Sequence, residues 1–522
     1  MTVELPQWDQ VQRVMPEIWL VIAMCAVILV PFVRRRSVLA PVVVTMVGLV
    51  LALVYVPMGS FGTGGTVHVF SGMLTIDPFS NFFKVLLLAF TLFVVAQWLM
   101  TSQRETAVYD VPDFMCLLLG ATVGMALMAS ASNLLMIFIA IEAASMPSFA
   151  LAGFRKHHRR STEGALKYVL FGAASSAVSV YGMSLIYGAV GSLDLSQIAY
   201  QASVGGVTPL LAVGMLAMFA GIAFKLSAVP LHFWCPDVFE GAPIEITTFL
   251  SVASKGAAVC LLLRILYAFA FFGGEGHYIG LATAVAILGG VTATWGNLVA
   301  LHQGNIKRLL AYSSIAHAGY MIMAASLTAV VAVGDSRLGG AILFYLVVYM
   351  FMNLGAFTVA GLVARQTGSE DLRDYSGLMG RSPALAVLLT LFLLSLFGMP
   401  GLGGFMAKIF LGMAMFSVAK DVAFVLIIVL FINTVISLYY YMRPVYYMAF
   451  VKDDENRMVI TPQAAGFMLL LICALALVWT GLLPTQASDL TEDYATIIVR
   501  EAPGSALSLV EPAVAAVPGN GH

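Results

Sequence analysis

Long apolar stretches dominate this sequence, and they constrain its fold more than any other feature. An α-helix needs about 20 apolar residues to cross the roughly 30 Å hydrocarbon layer of a bilayer. Stretches of that length recur fourteen times along the 522 residues. They lie near residues 17–33, 38–57, 78–100, 112–130, 133–153, 163–187, 209–228, 243–272, 278–300, 304–328, 340–363, 383–418, 422–448 and 463–483. The sequence therefore predicts an all-α polytopic membrane protein with 14 transmembrane helices.

The composition supports a membrane protein and excludes several other classes. Hydrophobic residues make up 61% of the chain and charged residues 10%, whereas soluble domains carry about 25% charged residues. The net charge of −1 gives no indication of a nucleic-acid partner. No flavin, nucleotide or iron–sulfur motif is recognisable, so we predict no cofactor and no metal on this chain. The cysteines lack the close spacing of metal or disulfide sites, and apolar packing is their expected role: Cys25, Cys116, Cys235, Cys260 and Cys473.

Basic residues gather in alternate loops, which predicts an orientation. Lys and Arg in short loops favour the cytoplasmic side, and here they concentrate in the loops that follow odd-numbered helices. The opposite side carries only Arg13, Arg337, Lys420 and Arg500. Both termini are then expected on the outer side of a bacterial cell (inner) membrane. We expect no cleavable signal peptide, and a partly disordered tail from about residue 485 with Pro503, Pro512 and Pro518.

Two of the predicted helices contain segments that interrupt a helix. Residues 224–230 (FKLSAVP) lie in the seventh helix and residues 398–404 (GMPGLGG) lie in the twelfth. Pro removes a backbone donor and Gly loosens the helix, so both helices are predicted to break within the membrane. The alternative is that Gly and Pro are simply common in membrane helices.

Interrupted helices at matching positions of two units are typical of inverted repeats that surround an ion path. We therefore predict two inverted five-helix repeats, helices 4–8 and helices 9–13, with helices 7 and 12 broken. The predicted domains are helices 1–3 (1–111), the first repeat (112–272), the inverted second repeat (273–450), and helix 14 with an outer-side tail (451–522).

Ionisable residues within the predicted helices indicate the function. A charge at the bilayer centre costs about 2.5–3.5 kcal/mol on insertion scales, so such residues are retained mainly where they pair or face water. Histidines add groups that titrate near neutral pH. The candidate catalytic residues are Glu142, Lys167, Lys225, Lys255, Lys408, His232 and His317.

Burial disfavours the charged form of a lysine, and a nearby carboxylate favours it. At an effective dielectric constant of about 20, a pair about 4 Å apart interacts by ~4 kcal/mol. We hypothesise that Glu142 pairs with Lys225, and that making or breaking this pair passes a proton through Lys255 and His317 toward Lys408.

Structural roles are the alternatives to this hypothesis. Glu163 lies four residues before Lys167, which is a favourable helical pair. A hydrogen-bonded core histidine is the alternative for His317. For Lys84 and Arg264, snorkelling or structural pairing is the expectation.

Several segments resemble a known family. Residues 161–168 (STEGALKY), 224–234 (FKLSAVPLHFW) and 307–320 (KRLLAYSSIAHAGY) resemble the antiporter-like subunits of respiratory complex I, and the resemblance extends over essentially all fourteen helices. Residues 236–243 (PDVFEGAP) with 250–255 (LSVASK) resemble the N type within that family. A lysine at 408 argues against the M type, which has glutamate there. The short chain after helix 14 argues against the L type, which continues into a lateral helix.

The resemblance implies a membrane-arm subunit of a proton-pumping NADH:quinone oxidoreductase, driven by quinone reduction elsewhere in the complex. The expected partners are other complex I subunits, especially neighbouring antiporter-like and small membrane subunits, and the lipid bilayer. FMN, iron–sulfur clusters and quinone are expected on those partner subunits.

The resemblance also implies roles for individual residues. By matching positions, Glu142 and Lys225 are expected to form the ion pair, and Lys167 is expected to modulate it. Lys255 and Lys408 correspond to the central and terminal relay lysines. His232 and His317 correspond to positions that hold water in the relay. The sequence departs from the usual Thr-Pro at Ile244-Glu245 and from the usual Thr at Cys235. Glu245 thereby adds a carboxylate near the cytoplasmic end of helix 8, and the resemblance assigns it no role.

Three other functions remain open at this point. A subunit of a multi-subunit cation/proton antiporter shares the fold, the broken helices and the lysines. A stand-alone solute transporter built on inverted repeats would need a roomy polar site at the centre. A structural scaffold would leave the buried lysines, at about 3 kcal/mol each, without an explanation.

Overall fold

A computed structural model describes residues 8–34, 37–58, 67–101, 110–273, 278–330, 336–418, 420–452 and 464–495. Helices account for nearly all of this part of the chain. The α-helices are α1 Trp8–Arg13, α2 Met15–Val33, α3 Leu39–Met58, α4 Pro78–Thr101, α5 Val111–Ser130, α6 Leu134–Ala152, α7 Arg159–Val190, α8 Leu195–Gly205, α9 Pro209–Leu226, α10 Trp234–Gly241, α11 Ile244–Phe249, α12 Lys255–Gly273, α13 Ile279–Ala300, α14 Ile306–Ser326, α15 Arg337–Thr367, α16 Leu378–Arg381, α17 Pro383–Phe397, α18 Gly403–Val418, α19 Lys420–Phe450, α20 Ala464–Leu482 and α21 Pro484–Asp493.

Shorter elements join these helices. A π-helical turn, Leu250–Ser254, links α11 to α12, and two 3-10 helices cover Leu327–Val330 and Leu372–Tyr375. Two strands, β1 Val67–Val69 and β2 Leu74–Ile76, form an antiparallel hairpin. The prediction of an all-α chain is therefore wrong in this one place, because a three-residue strand is too short to produce a recognisable alternation.

The membrane-spanning character of the chain is confirmed. Twelve helical segments in the described ranges are long and apolar enough to cross a bilayer, or thirteen if α20 and α21, which meet at 89°, form one span. The predicted twelfth helix corresponds to two shorter apolar helices, α17 and α18. The chain is thus a multi-pass membrane protein with twelve or thirteen candidate spans.

The C-terminal prediction needs one correction. The sequence predicts a tail that loses order from about residue 485, whereas Pro484–Asp493 forms α21. This helix packs against α15, so tertiary contact stabilises a segment of low apolar content. Pro503, Pro512 and Pro518 lie outside the described residues.

Three spans form the centre of the bundle. In the most apolar stretches of Ile244–Gly273, Ile306–Val330 and Arg337–Thr367, 83%, 94% and 89% of residues are buried, compared with 28% for Met15–Val33. A helix that is apolar all round is expected in a core of this kind. Because α12 and α14 carry Lys255 and His317, two candidate residues lie at the centre of the protein.

Both predicted interruptions are present. Helix α9 ends at Leu226, Ser227 is left-handed with φ +56°, and the helix resumes only at Trp234. Helix α17 ends at Phe397, Gly398 is left-handed with φ +95°, and α18 begins at Gly403. Left-handed residues are common at helix C-termini because they redirect the chain and satisfy the last carbonyls.

Candidate functional site

Three of the candidate lysines are buried without an ionic partner. Lys225, Lys255 and Lys408 are 1%, 1% and 6% exposed, respectively. Among the described residues, no carboxylate oxygen lies within 4 Å of any of their ammonium groups. Buried charges are normally paired, so three unpaired lysines in one core are the most unusual feature of this molecule.

Lys225 lies in the last turn of α9, directly before the first break. Its Nζ atom has no hydrogen-bond partner within the described chain. Glu142 on α6 acts on it electrostatically, but the carboxylate of Glu142 instead accepts a short hydrogen bond from Ser176. The predicted Glu142–Lys225 ion pair is therefore not formed in this structure, and a switch based on that pair stays a prediction.

Lys255 begins α12, immediately after the π-helical turn. Its Nζ donates to the Ser314 Oγ atom at 2.6 Å and contacts the Cys235 Sγ atom at 3.8 Å. The Phe239 ring centroid lies 5.8 Å from the same nitrogen. The central lysine is thus held by neutral groups, one of which is the cysteine that departs from the family pattern.

His317 connects two tyrosines on different helices. The Tyr345 hydroxyl lies 2.5 Å from Nδ1 and the Tyr441 hydroxyl lies 3.2 Å from Nε2. Tyr441 also lies 2.5 Å from the Ser313 Oγ atom. Since a neutral histidine donates through one nitrogen and accepts through the other, this arrangement can pass a proton across the imidazole ring.

Lys408 lies on α18, but its side chain returns to the end of α17. The Nζ atom donates to the Phe397 carbonyl at 2.6 Å and to the Leu396 carbonyl at 3.2 Å. The last carbonyls of a helix carry partial negative charge and stabilise a cation. Lys225 likewise lies at the C-terminal end of a helix, in the last turn of α9. At each break, a lysine therefore lies at the helix end that carries partial negative charge.

The remaining two candidates lie in different environments. Lys167 is partly exposed and forms ion pairs with Glu163 at 2.9 Å and with Asp237 at 2.7 Å. The predicted helical pair with Glu163 is therefore present. His232 is buried against Phe233, with ring centroids 4.4 Å apart, and no hydrogen bond to its Nδ1 atom is found in the described part of the chain.

The two basic residues with expected structural roles do pair. Lys84 contacts Glu17 at 2.7 Å, and Arg264 contacts Asp77 at 2.9 Å, with all four side chains nearly buried. These pairs confirm the expectation of structural pairing. Lys84 and Arg264 thus differ from Lys225, Lys255 and Lys408 in having a carboxylate partner.

Sequence reasoning missed a polar network beside His317. Tyr320, Tyr440 and Asn433 all contact the Asn297 amide within 3.0 Å. Rings of Tyr440 and Tyr441 lie 4.3 Å apart, which joins this network to His317. The run of three tyrosines at 439–441 is the available signal, but helical spacing alone does not show which of them faces inward.

No metal centre is indicated in the described ranges, since no group of three His, Cys, Asp or Glu side chains could hold an ion. Cys235, Cys260 and Cys473 are buried, while Cys116 is partly exposed and Cys25 is exposed. Four of the five cysteines, all but Cys25, thus pack within or against the apolar core, and Cys235 also contacts Lys255.

Comparisons with known proteins identify the family. Residues 131–437 match the family model described as NADH:quinone oxidoreductase/Mrp antiporter, TM. NADH-quinone oxidoreductase subunit N of Anaeromyxobacter sp. is 42% identical over 72% of this chain and 75% of its own length. The Chlorobium chlorochromatii protein of the same name is 36% identical over 95% of this chain and 98% of its own length.

Solved structures agree with these relatives. A chain of Thermus thermophilus respiratory complex I with bound aureothin has a TM-score of 0.71 and 30% identity, and the match covers 91% of this chain and 98% of that one. A chain of the Dietzia Mrp complex has a TM-score of 0.75 at 18% identity, covering 93% and 97%, which shows a shared fold alone. The chain therefore belongs to the antiporter-like subunits N of NADH-quinone oxidoreductase, and is one component of that translocase complex.

Proposed function

We propose that this subunit translocates protons through Lys225, Lys255, His317 and Lys408, driven by quinone reduction elsewhere in complex I. One observation carries the proposal: three lysines are buried without a carboxylate partner among the described residues. Each costs about 2.5–3.5 kcal/mol on insertion scales, and a neutral residue in its place would avoid that cost. A lysine that must alternate between neutral and charged forms explains why the cost is retained.

Glu142 acts as the switch in this proposal. At present it bonds to Ser176, and Lys225 has no partner within the described chain. Movement of Glu142 to about 4 Å from Lys225 would stabilise the protonated lysine by ~4 kcal/mol at an effective dielectric constant of 20. Return of Glu142 to Ser176 then releases the proton toward Lys255. Lys167, which pairs with Asp237 of α10, modulates this step, and His232, which lies within the first break, holds water for the relay.

The same proposal includes fourteen spans arranged as two inverted five-helix repeats. The support lies in the pattern of packing: α7 packs against both halves of the first broken helix, α9 and α10, and α15 packs against both halves of the second, α17 and α18. Counting α17 with α18 as one span and α20 as another gives fourteen. The unit boundaries are then 1–111, 112–272, 273–450 and 451–522.

Hydrogen bonds between loops support the alternating topology. A bridge joins Asn133 to Asp194, both in loops expected on the outer side, and another joins Asn305 to Asp371, both in loops expected on the cytoplasmic side. We infer an inner-membrane location in a bacterium with both termini outside, based on the basic loops. The proposed neighbours are other antiporter-like and small membrane subunits, with FMN, iron–sulfur clusters and quinone held by partner subunits.

The experiment replaces Lys225 by Met or Glu142 by Gln in the intact complex in membrane vesicles. Both variants are expected to assemble and to lose proton translocation, because the switch pair can no longer form. Lys452→Met is a matched control, since Lys452 is exposed and lies beyond the end of α19. Normal translocation in both switch variants would overturn the proposal.

A further inference from the structure

A large cavity opens at the basic end of the protein. It has a volume of about 1030 Å³, and its lining includes Thr101 of α4, Arg155, Glu240 of α10, Arg365 of α15 and Glu370. Its size is sufficient for many water molecules. Water at this end can therefore approach the first turn of α11, whose Ile244 also lines the cavity.

Glu245 lies directly behind the wall of this cavity. It occupies the first turn of α11 and is fully buried. Its carboxylate accepts a short hydrogen bond from the hydroxyl of Thr101, which itself lines the cavity. Gly361 of α15 permits this arrangement, because a side chain at that position would press on both Ile244 and Thr101. The carboxylate is thus one residue away from the cavity.

Polar side chains continue from Glu245 toward Lys255. Thr248 and Ser251 follow at intervals of three residues, a spacing that keeps successive side chains on one side of an α-helix. Lys255 follows after four more residues, across the π-helical turn Leu250–Ser254. All four side chains are buried. The ten residues from Glu245 to Lys255 rise by roughly 15 Å at 1.5 Å per residue, about half of the ~30 Å hydrocarbon layer.

Hydrogen bonds fix the positions of these side chains, and the Thr248 hydroxyl itself donates to the Ile244 carbonyl at 2.8 Å. The Gln97 side chain donates to the Thr248 hydroxyl at 3.1 Å, and the Ser251 hydroxyl donates to the Thr248 carbonyl at 2.7 Å. The π-helical turn Leu250–Ser254 lies between Thr248 and Lys255, and such turns are frequent at functional sites. A hydroxyl can accept one proton while it donates its own.

From this geometry we infer that Glu245 takes up protons from the cavity and delivers them to Lys255 along Thr248 and Ser251. Thr101 is the positioning residue that holds the carboxylate against the cavity. In each cycle the carboxylate gains a proton from water in the cavity and loses it toward Thr248 and Ser251, so the carboxylate is regenerated. The inference rests on the proposed function, because a route into Lys255 matters only if Lys255 carries protons.

Charged groups at the basic end of the protein determine the electrostatic potential at Glu245. Lys307 of α14 acts on it electrostatically, and its ammonium is held by Glu370 at 2.9 Å and by the Glu240 and Ala242 carbonyls. The lysines and arginines that line the cavity are Arg155, Lys156, Arg160 and Arg365. The competing structural role for Glu245 is to anchor Lys307, and this role predicts lost stability rather than lost proton uptake.

The test uses the intact complex in membrane vesicles with Glu245→Gln, Glu245→Asp, Glu245→Ala and Thr101→Val. Loss of a positioned acid–base group typically slows proton transfer by about 10²-fold or more, and Glu245→Gln is expected to slow translocation to that extent. Glu245→Asp should restore most of the rate. Glu245→Ala leaves space at the buried position, and sodium formate, a small acid, should restore part of its lost rate. Glu492→Gln, an exposed substitution on α21, is the matched control and should behave as the original protein.

Each result decides the question. An unchanged rate in Glu245→Gln, or a slow rate in Glu245→Ala that formate does not raise, overturns the inference. If Glu245→Gln fails to assemble, Thr101→Val decides, because it removes only the hydroxyl donor: slowed translocation supports the inference and an unchanged rate overturns it. Normal translocation in the Lys225 and Glu142 variants would instead show that the proposed function itself has failed.

Discussion

The hydroxyl of Tyr441 is the most specific point at which the proposed relay can be cut. It bonds to Ser313 at 2.5 Å and to the Nε2 atom of His317 at 3.2 Å. Substitution by Phe removes this single oxygen and keeps the ring, which packs 4.3 Å from Tyr440. Tyr441→Phe therefore changes hydrogen bonding at His317 with little change in packing.

The size of the effect follows from the two lost bonds. A neutral hydrogen bond contributes about 0.5–1.5 kcal/mol, so two bonds together contribute about 1–3 kcal/mol. If they hold His317 in position for transfer, their loss raises the barrier by that amount. At about 1.4 kcal/mol per factor of ten, proton transfer slows by roughly 5- to 140-fold.

The assay follows proton translocation and NADH oxidation in vesicles that contain the assembled complex. Both rates are expected to fall in Tyr441→Phe, because the proposal couples them. Tyr375→Phe is the control, since Tyr375 is also fully buried but its hydroxyl has no hydrogen-bond partner among the described residues. Equal rates in Tyr441→Phe and in the original protein would refute a relay through His317.

Three further substitutions test neighbouring features. Ser314→Ala removes the charge-assisted hydrogen bond to Lys255, worth about 1.5–3 kcal/mol, and translocation in vesicles should fall while the complex stays assembled. Gly398→Ala places a side chain at φ +95°, at a cost of roughly 1–2 kcal/mol, and a thermal unfolding assay should show a lower midpoint. Lys84→Met leaves Glu17 buried without its cation, at a cost of about 3–5 kcal/mol, and should lower the yield of assembled complex.

Each of these substitutions has its own control. Gly412 of α18 has open space where an added methyl group would lie, and its backbone is not left-handed, so Gly412→Ala should leave the midpoint unchanged. The double variant Lys84→Met with Glu17→Gln should recover assembly, because it removes both charges of the pair. A Ser314→Thr variant keeps a hydroxyl and should retain translocation; its failure would assign the Ser314→Ala effect to packing.

Much of this fold could be predicted from the sequence because the bilayer imposes a simple length rule. Every predicted stretch contains a helix, and the breaks fall beside Pro230 and at Gly398, as the chemistry of these residues requires. The β-hairpin and α21 were missed for a different reason. Both are short and depend on contacts with other elements, β2 with the end of α5 and α21 with α15, which no local pattern reveals.

The burial of the three lysines was predictable from the sequence, but their contacts were not. Lys225, Lys255 and Lys408 could be selected from the sequence because charged residues are rare within the apolar stretches. Their partners are neutral side chains and backbone carbonyls from distant helices, such as Ser314 for Lys255 and Phe397 for Lys408. Neutral partners have no distinctive sequence signal, so the absence of a carboxylate beside the three lysines within the described chain emerged only from the packed structure.

The central claim is that buried lysines carry protons through this subunit, and Lys255 tests it most directly because it lies between the two breaks. The decisive measurement is the number of protons translocated per NADH oxidised by the assembled complex with Lys255→Met. The account predicts that this ratio falls, or that coupled turnover stops, while assembly matches that of the original complex. An unchanged ratio at an unchanged rate would contradict the account.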